Sequence, residues 1–189
     1  MAGSVSVQRL AVIVASGILY GIVLLSASAQ GRDEVDLLLT EVQRLHEEGK
    51  SAEAIPIAER AVDVARERHG EEQKEFSSAI GMLAVVYQAQ GRYAEAEHLF
   101  KRSLDVREKA LGPDHLNVGA ALSNLAVLYR EQRRYAEAEP LLRRALAIAE
   151  KGRDPGHPAV GVALNQLAAV LKDQRRFTDA ETLYRRSLD

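Results

Sequence analysis

The chain of 189 residues has no cysteine. That excludes a disulfide framework, a lipid-modified cysteine, a thiol nucleophile and any cysteine-ligated metal. An excess of one charge is also missing: 25 lysines and arginines face 27 aspartates and glutamates, a net charge of −2. Sequence-independent binding to nucleic acid needs a basic face, so nucleic acid is not an expected partner. The signatures of catalysis are absent as well. There is no glycine-rich phosphate loop and no Gly-x-Ser-x-Gly elbow. His46-Glu47-Glu48 opens like a zinc-protease motif, but Lys50 stands where the second histidine belongs. No catalytic, metal-binding or cofactor-binding residue is expected, and the chain reads as non-enzymatic.

Long apolar runs are scarce too, with one exception at the N-terminus. Residues 1–29 carry a single charge, Arg9, followed by an apolar run from Leu10 to Leu25 and then Ala27-Ser28-Ala29. A positive start, an apolar middle and a small-x-small end predict a secretory signal cut after Ala29. The alternative is a retained membrane anchor, although residues 10–25 fall short of the ~20 needed to span a bilayer. Cleavage would remove Arg9 and leave 24 basic against 27 acidic side chains. The expected location is exported, periplasmic or envelope-associated. Membrane contact is expected only if residues 1–29 stay on the chain. Residues 30–35 read as a short tether.

What the sequence does contain is a period. Tyr93-Ala94-Glu95-Ala96-Glu97 recurs unchanged at Tyr135–Glu139, 42 positions on. The same step forward reaches Phe177-Thr178-Asp179-Ala180-Glu181, and the same step back reaches Ser51-Ala52-Glu53-Ala54-Ile55. A fixed period of this size predicts a solenoid, in which each unit buries its apolar face against its neighbours.

Each unit reads as two helices. Leu122, Leu125, Ala126 and Tyr129 fall on one face of the first, and Ala138, Leu142 and Ala145 form the facing stripe of the second. Small residues in both stripes let the two backbones approach. The joint between the helices is Gln90-Gly91-Arg92 in one unit and Gln132-Arg133-Arg134 in the next. Gly91 suits a left-handed helix stop; Arg133 and Arg175 occupy the same slot at a cost of about 1 kcal/mol each if left-handed. The first unit departs from the pattern, with Glu41 in a leucine position and Ser51 at the joint aromatic, as a solvated end cap would. Pro56 and Pro140 fall early in the second helices, where a missing N–H costs least.

These residues resemble the tetratricopeptide repeat in its long, kinesin-light-chain-like form. The Leu-Ala-x-x-Tyr core, the Gly/Arg-Arg-Tyr joint, Ala-Glu-Ala-Glu and the Leu-Gly-Pro-Asp-His linker at 111–115 recur in order. The resemblance implies an all-α, right-handed superhelical solenoid of antiparallel helix pairs over residues 36–189, about four units with the last truncated. It also implies a concave groove, lined by the first helices, that binds an extended peptide or partner protein. The chain would then be a scaffold or adaptor in the cell envelope. The alternative is the repeat region of a larger enzyme or signalling protein.

The groove expected from this resemblance consists of Met82, Val85, Asn124, Val127, Arg130, Gln166 and Lys172. Polar clamps of the family use lysine, arginine and asparagine at two recurring sites of the first helix. Here one site holds Asp36, Ser78, Ala120 and Val162, and the other holds Thr40, Met82, Asn124 and Gln166. Asn124 alone matches, so a carboxylate clamp is not expected. Asn124 would instead bond a peptide backbone beside apolar Val85 and Val127, or bond within its own solenoid.

Three other features carry expectations. Glu97–Lys101, Glu139–Arg143 and Glu181–Arg185 have i, i+4 spacing and predict ion pairs along exposed helices. The joint pairs Arg133-Arg134 and Arg175-Arg176 have no such acidic neighbour and are open to an acidic ligand. His115 and His157 are expected to hydrogen-bond at the linker and helix start. Finally, Phe177, Ala180, Leu183, Tyr184 and Leu188 form an uncovered apolar stripe, and this C-terminal edge is expected to pair with a second copy or with another envelope protein, the alternative being a fragment with a loose end.

Overall fold

The computed structural model describes residues 33–151 and 157–188. The expected signal segment 1–29 and the linker pair Pro155-Gly156 lie outside them. The described residues form eight helices and no strand: α1 (Glu34–Glu47), α2 (Ser51–His69), α3 (Lys74–Ala89), α4 (Tyr93–Leu111), α5 (Leu116–Glu131), α6 (Tyr135–Glu150), α7 (Pro158–Asp173) and α8 (Phe177–Arg186). They pair as α1/α2, α3/α4, α5/α6 and α7/α8. Each second helix packs against the first helix of the next unit. Consecutive first helices also come into backbone contact, whereas second helices of neighbouring units stand further apart and are bridged by long side chains, Arg144 to Glu108 at 2.6 Å and Arg186 to Glu150 at 2.5 Å. The fold is the all-α solenoid that the 42-residue period predicts. Among the described residues, no helix is long and apolar enough to cross a membrane.

Packing follows the period residue by residue. Ala54, Ala96, Ala138 and Ala180, one per second helix, are at most 2% exposed. Val42, Ala84, Ala126 and Ala168 face them from the first helices and are fully buried. Small side chains in both rows bring the paired backbones together. Leu38, Ile80, Leu122 and Leu164 then fill the space one turn away.

The joints close in one geometry four times. The N–H groups of Lys50, Arg92, Arg134 and Arg176 reach back to the carbonyls of Leu45, Tyr87, Tyr129 and Leu171 at 2.8–2.9 Å. This six-residue closure requires a left-handed residue just before the donor. Gly49 and Gly91 supply it at φ 74° and 71°, and Arg133 and Arg175 supply it at 59° and 64°. The two arginines therefore carry the expected cost of about 1 kcal/mol each relative to glycine.

The linker histidines cap helices. Nδ1 of His115 accepts the Asn117 N–H at 3.1 Å, and Nδ1 of His157 accepts the Ala159 N–H at 3.2 Å. α1 is capped differently, by the Asp33 carboxylate accepting the Val35 N–H at 3.0 Å. The helix thus begins at Glu34, and the expected tether over 30–35 loses its last residues to it. Pro56 and Pro140 are each the sixth residue of their helix, beyond the first free N–H groups. Both lie on exposed faces, where water can serve the unmatched carbonyls.

The seams between units are ionic. The predicted i, i+4 pairs are present at 2.7 Å for Glu97–Lys101, 2.5 Å for Glu139–Arg143 and 2.6 Å for Glu181–Arg185. The joint arginines differ from expectation. Arg134 pairs with Glu97 of the preceding unit and with Glu137 of its own, both at 2.6 Å. Arg176 repeats the arrangement with Glu139 and Asp179, both at 2.7 Å. These two are not open to a ligand, because stacking the units delivers a carboxylate that sequence spacing conceals.

Polar residues of the first unit are accommodated. Glu41 pairs with Arg44 at 2.6 Å, and buried Ser51 lies 3.3 Å from the His46 ring. At the far end, the expected bare stripe is only partly bare. Ala180 is buried, and Leu183 and Tyr184 pack against the core, while Phe177 and Leu188 are exposed at 63% and 87%. α8 folds back on α7, and the Ser187 hydroxyl meets Asn165 Oδ1 at 2.8 Å.

Candidate partner-binding groove

The first helices α1, α3 and α5 stand side by side, and the residues they share along the inner wall are again 42 apart. On α3, Val85, Gln88 and Ala89 fall at i, i+3 and i+4. On α5, Asn124, Val127 and Glu131 fall at i, i+3 and i+7. Helical periodicity therefore turns both sets toward one side. Together with His46 of α1 and Phe100 of α4 they line an open concavity of about 280 Å³. Phe100 is 2% exposed and forms the apolar floor. Val85 and Val127 are half-buried, and Asn124, Ala89 and Glu131 are exposed at the rim.

Of the seven residues expected in the groove, the structure brings Val85, Asn124 and Val127 into this concavity. Met82 lies one turn earlier on α3 and packs against the core. Gln166 sits half-buried on α7, its side-chain oxygen buried without a hydrogen-bond partner. Lys172 is exposed in the last turn of α7. Arg130 does not offer a free charge, since its guanidinium binds Asp173 of the next unit at 2.6 Å. His46 and Gln88 were missed, yet they precede Arg130 and Lys172 in the same 42-residue row. Carrying that row backwards would have found them. Phe100 had no such signal, because it enters the concavity from a second helix.

The chemistry of the concavity suits an extended chain. Valine and phenylalanine offer apolar surface, Asn124 and Gln88 each offer amide donors and an acceptor, and Glu131 marks one rim. Close to this wall the seam residues are firmly held. Tyr129 donates its hydroxyl to Glu97 at 3.0 Å, and the Arg134 guanidinium lies 4.1 Å from the Tyr129 ring centre. Hydrogen bonding from Arg134 outweighs partial burial and holds the Glu97 carboxyl at about 2. For Glu139, burial pushes the carboxyl up, but Gln174 and Arg176 prevail and the net direction is down. Burial, followed by the bond to Glu97, pushes the Tyr129 hydroxyl up.

Comparison with known proteins agrees with the architecture. A family model described as tetratricopeptide repeat matches residues 75–151 and again 120–189. Among curated proteins none matches. The chain is similar in structure to a kinesin light chain-like protein of P. anserina with nearly identical TPR-like repeats. That likeness has a TM-score of 0.73 at 24% identity, over 81% of this chain and 72% of that one. It is similar also to BtubC (BKLC) from P. vanneervenii, with a TM-score of 0.70 at 24% identity over 87% of this chain and 67% of that one. The apo form of RapI gives 0.69 at 20% identity, over 87% and 59% of the two chains. At these identities the likeness is one of fold.

Proposed function

Because the chain belongs to the tetratricopeptide repeat family, we propose that it is a non-catalytic protein-interaction module, a scaffold or adaptor that holds an extended partner segment in the concavity of α1, α3 and α5. The observation that carries this reading is the meeting of Val85, Asn124 and Val127 over the Phe100 floor. An extended peptide places alternate side chains on one side, so apolar residues would enter between the two valines while Asn124 bonds the intervening backbone. In the same proposal residues 1–29 direct export, and the module works in the cell envelope.

Panning a displayed library of random peptides against the protein tests the groove. Enrichment of sequences with alternating apolar residues, and their loss from a Val85→Asp/Val127→Asp variant that still melts cooperatively, is the expected result. Asn124→Ala should weaken the same peptides by roughly the 0.5–1.5 kcal/mol of one neutral hydrogen bond. Peptides that bind the double variant as well as the native protein would refute the groove. For export, N-terminal sequencing of the native protein should begin at Gln30; an intact Met1 or Ala2 in the membrane fraction would refute cleavage.

A further inference from the structure

Most positive charges on this protein are neutralised by the protein itself. Among the described residues, every lysine and arginine pairs with a described carboxylate except Arg107, Lys109, Arg133, Lys172 and Arg175. Arg107 is a partly buried side chain that donates to the Ser77 hydroxyl and the Asn117 carbonyl. Of the other four, all exposed, Lys109 stands apart in the last turn of α4. Arg133, Lys172 and Arg175 gather at the joints of the third and fourth units. The Arg175 N–H bonds the Lys172 carbonyl at 2.9 Å, which places both in one turn. Arg133 occupies the equivalent turn of the neighbouring helix α5, and α5 and α7 are in contact.

Two of these three positions are held by backbone that disfavours any side chain. Arg133 and Arg175 sit at φ 59° and 64°, in the slot that Gly49 and Gly91 fill in the first two units. Glycine would be the better residue there for the fold. The position beyond a helix end gives a cation some favourable dipole contact, but so would Arg134 and Arg176, which already stand next in sequence with their charges paired. Strain retained in two successive units, each time bearing an exposed and unpaired guanidinium, points to a use outside the fold.

We infer that the joint edge of the third and fourth units is a second docking surface, on which Arg133, Arg175 and Lys172 receive an acidic segment of a partner protein. Two guanidiniums one unit apart match carboxylates spaced along an extended chain, each with a planar fork for bidentate bonding. A broad anionic membrane is the poorer fit. The chain as a whole is slightly acidic, and the unpaired charge lies along one edge. This surface adjoins the concavity at Glu131, two residues before Arg133, but it rests on different side chains, so different variants test the two.

The test uses the full-length protein and a fluorescein-labelled octaglutamate peptide, with octalysine as control, read by anisotropy at low ionic strength. The native protein should bind octaglutamate in preference to octalysine. Arg133→Gly/Arg175→Gly should weaken that binding about five- to tenfold, as loss of two exposed charge pairs does, while its melting midpoint rises. Arg133→Lys/Arg175→Lys should restore most of the affinity. Equal binding of octaglutamate by the native protein and the glycine variant would overturn the inference and leave the arginines a purely local role. Failure of the native protein to bind octaglutamate would overturn it, and flotation with phosphatidylglycerol vesicles that the glycine variant loses would assign the arginines to a lipid surface instead.

Discussion

Arg134 reaches back 37 positions to Glu97, which it meets at 2.6 Å while lying over the Tyr129 ring. One guanidinium thereby ties the second helix of one unit to both helices of the next. Glu97 also accepts from Lys101 at 2.7 Å and from the Tyr129 hydroxyl at 3.0 Å. The seam between the third and fourth units keeps the ion pair, Arg176 with Glu139, but has Leu171 in place of the tyrosine.

This seam makes stability depend on pH in a stated window. The Glu97 carboxyl lies at about 2 in the folded protein against an ordinary value of 4.5, chiefly because Arg134 bonds the ionised form. A depressed carboxyl stabilises the fold fully above the unfolded value and ceases to do so as pH falls through the folded one. Thermal melts of the native protein and Glu97→Gln should differ by a constant amount above about pH 5. The difference should close between about 4.5 and about 2. A gap that persists at the acid end would show that Glu97 acts by shape and not by charge.

The four joints offer a paired exchange. Arg133→Gly removes the left-handed penalty and should stabilise the protein by roughly 0.5–1 kcal/mol, while Gly91→Arg should destabilise it by about as much. Denaturant melts of both variants check the sign at each joint. A loss of stability in Arg133→Gly would mean that the arginine side chain contributes more than its backbone costs.

Helix capping by histidine can be separated from its other effects. His115→Ala removes the acceptor for the Asn117 N–H and should cost about 1 kcal/mol, whereas His115→Asn offers a side-chain oxygen in its place and should cost little. Amide exchange at Asn117 should quicken in the alanine variant alone.

Ala138 separates core from groove. It is fully buried where α5 and α6 cross, so Ala138→Leu should overpack the contact and cost roughly 1–3 kcal/mol. Asn124→Ala, on the exposed rim, should leave the melting midpoint nearly unchanged. Calorimetry on the two variants distinguishes the roles.

The period made the repeated features legible, and only those. Helix pairs, alanine rows, the left-handed joints at Gly91, Arg133 and Arg175, and the i, i+4 pairs all follow from residues close in sequence or 42 apart. The Arg134–Glu97 and Arg130–Asp173 pairs do not, since their partners meet only once the units are stacked at a particular angle. The same limit governed the groove. Val85, Asn124 and Val127 lie on helices whose inner face the repeat pattern indicates, but Phe100 belongs to a second helix and enters between them from behind. Arg130 shares the inner row of the groove, but its partner Asp173, 43 positions away, is one residue out of step with the period.

Neighbouring first helices are in backbone contact along the whole stack, while neighbouring second helices are joined only across a wider gap, by ion pairs such as Arg144–Glu108 and Arg186–Glu150. The inner row is therefore a spine, and the outer row is a set of wedges with gaps between them. Bending the coil widens or narrows those gaps and works first against exposed ion pairs worth about 0–1 kcal/mol each, so curvature is the softest motion available to this architecture. A small rotation at one seam adds to the next, and four units amplify it into a change of pitch. A ligand seated along the spine acts where that rotation is set. Its grip on three helices would be transmitted to the convex face as a change in the spacing of the wedges.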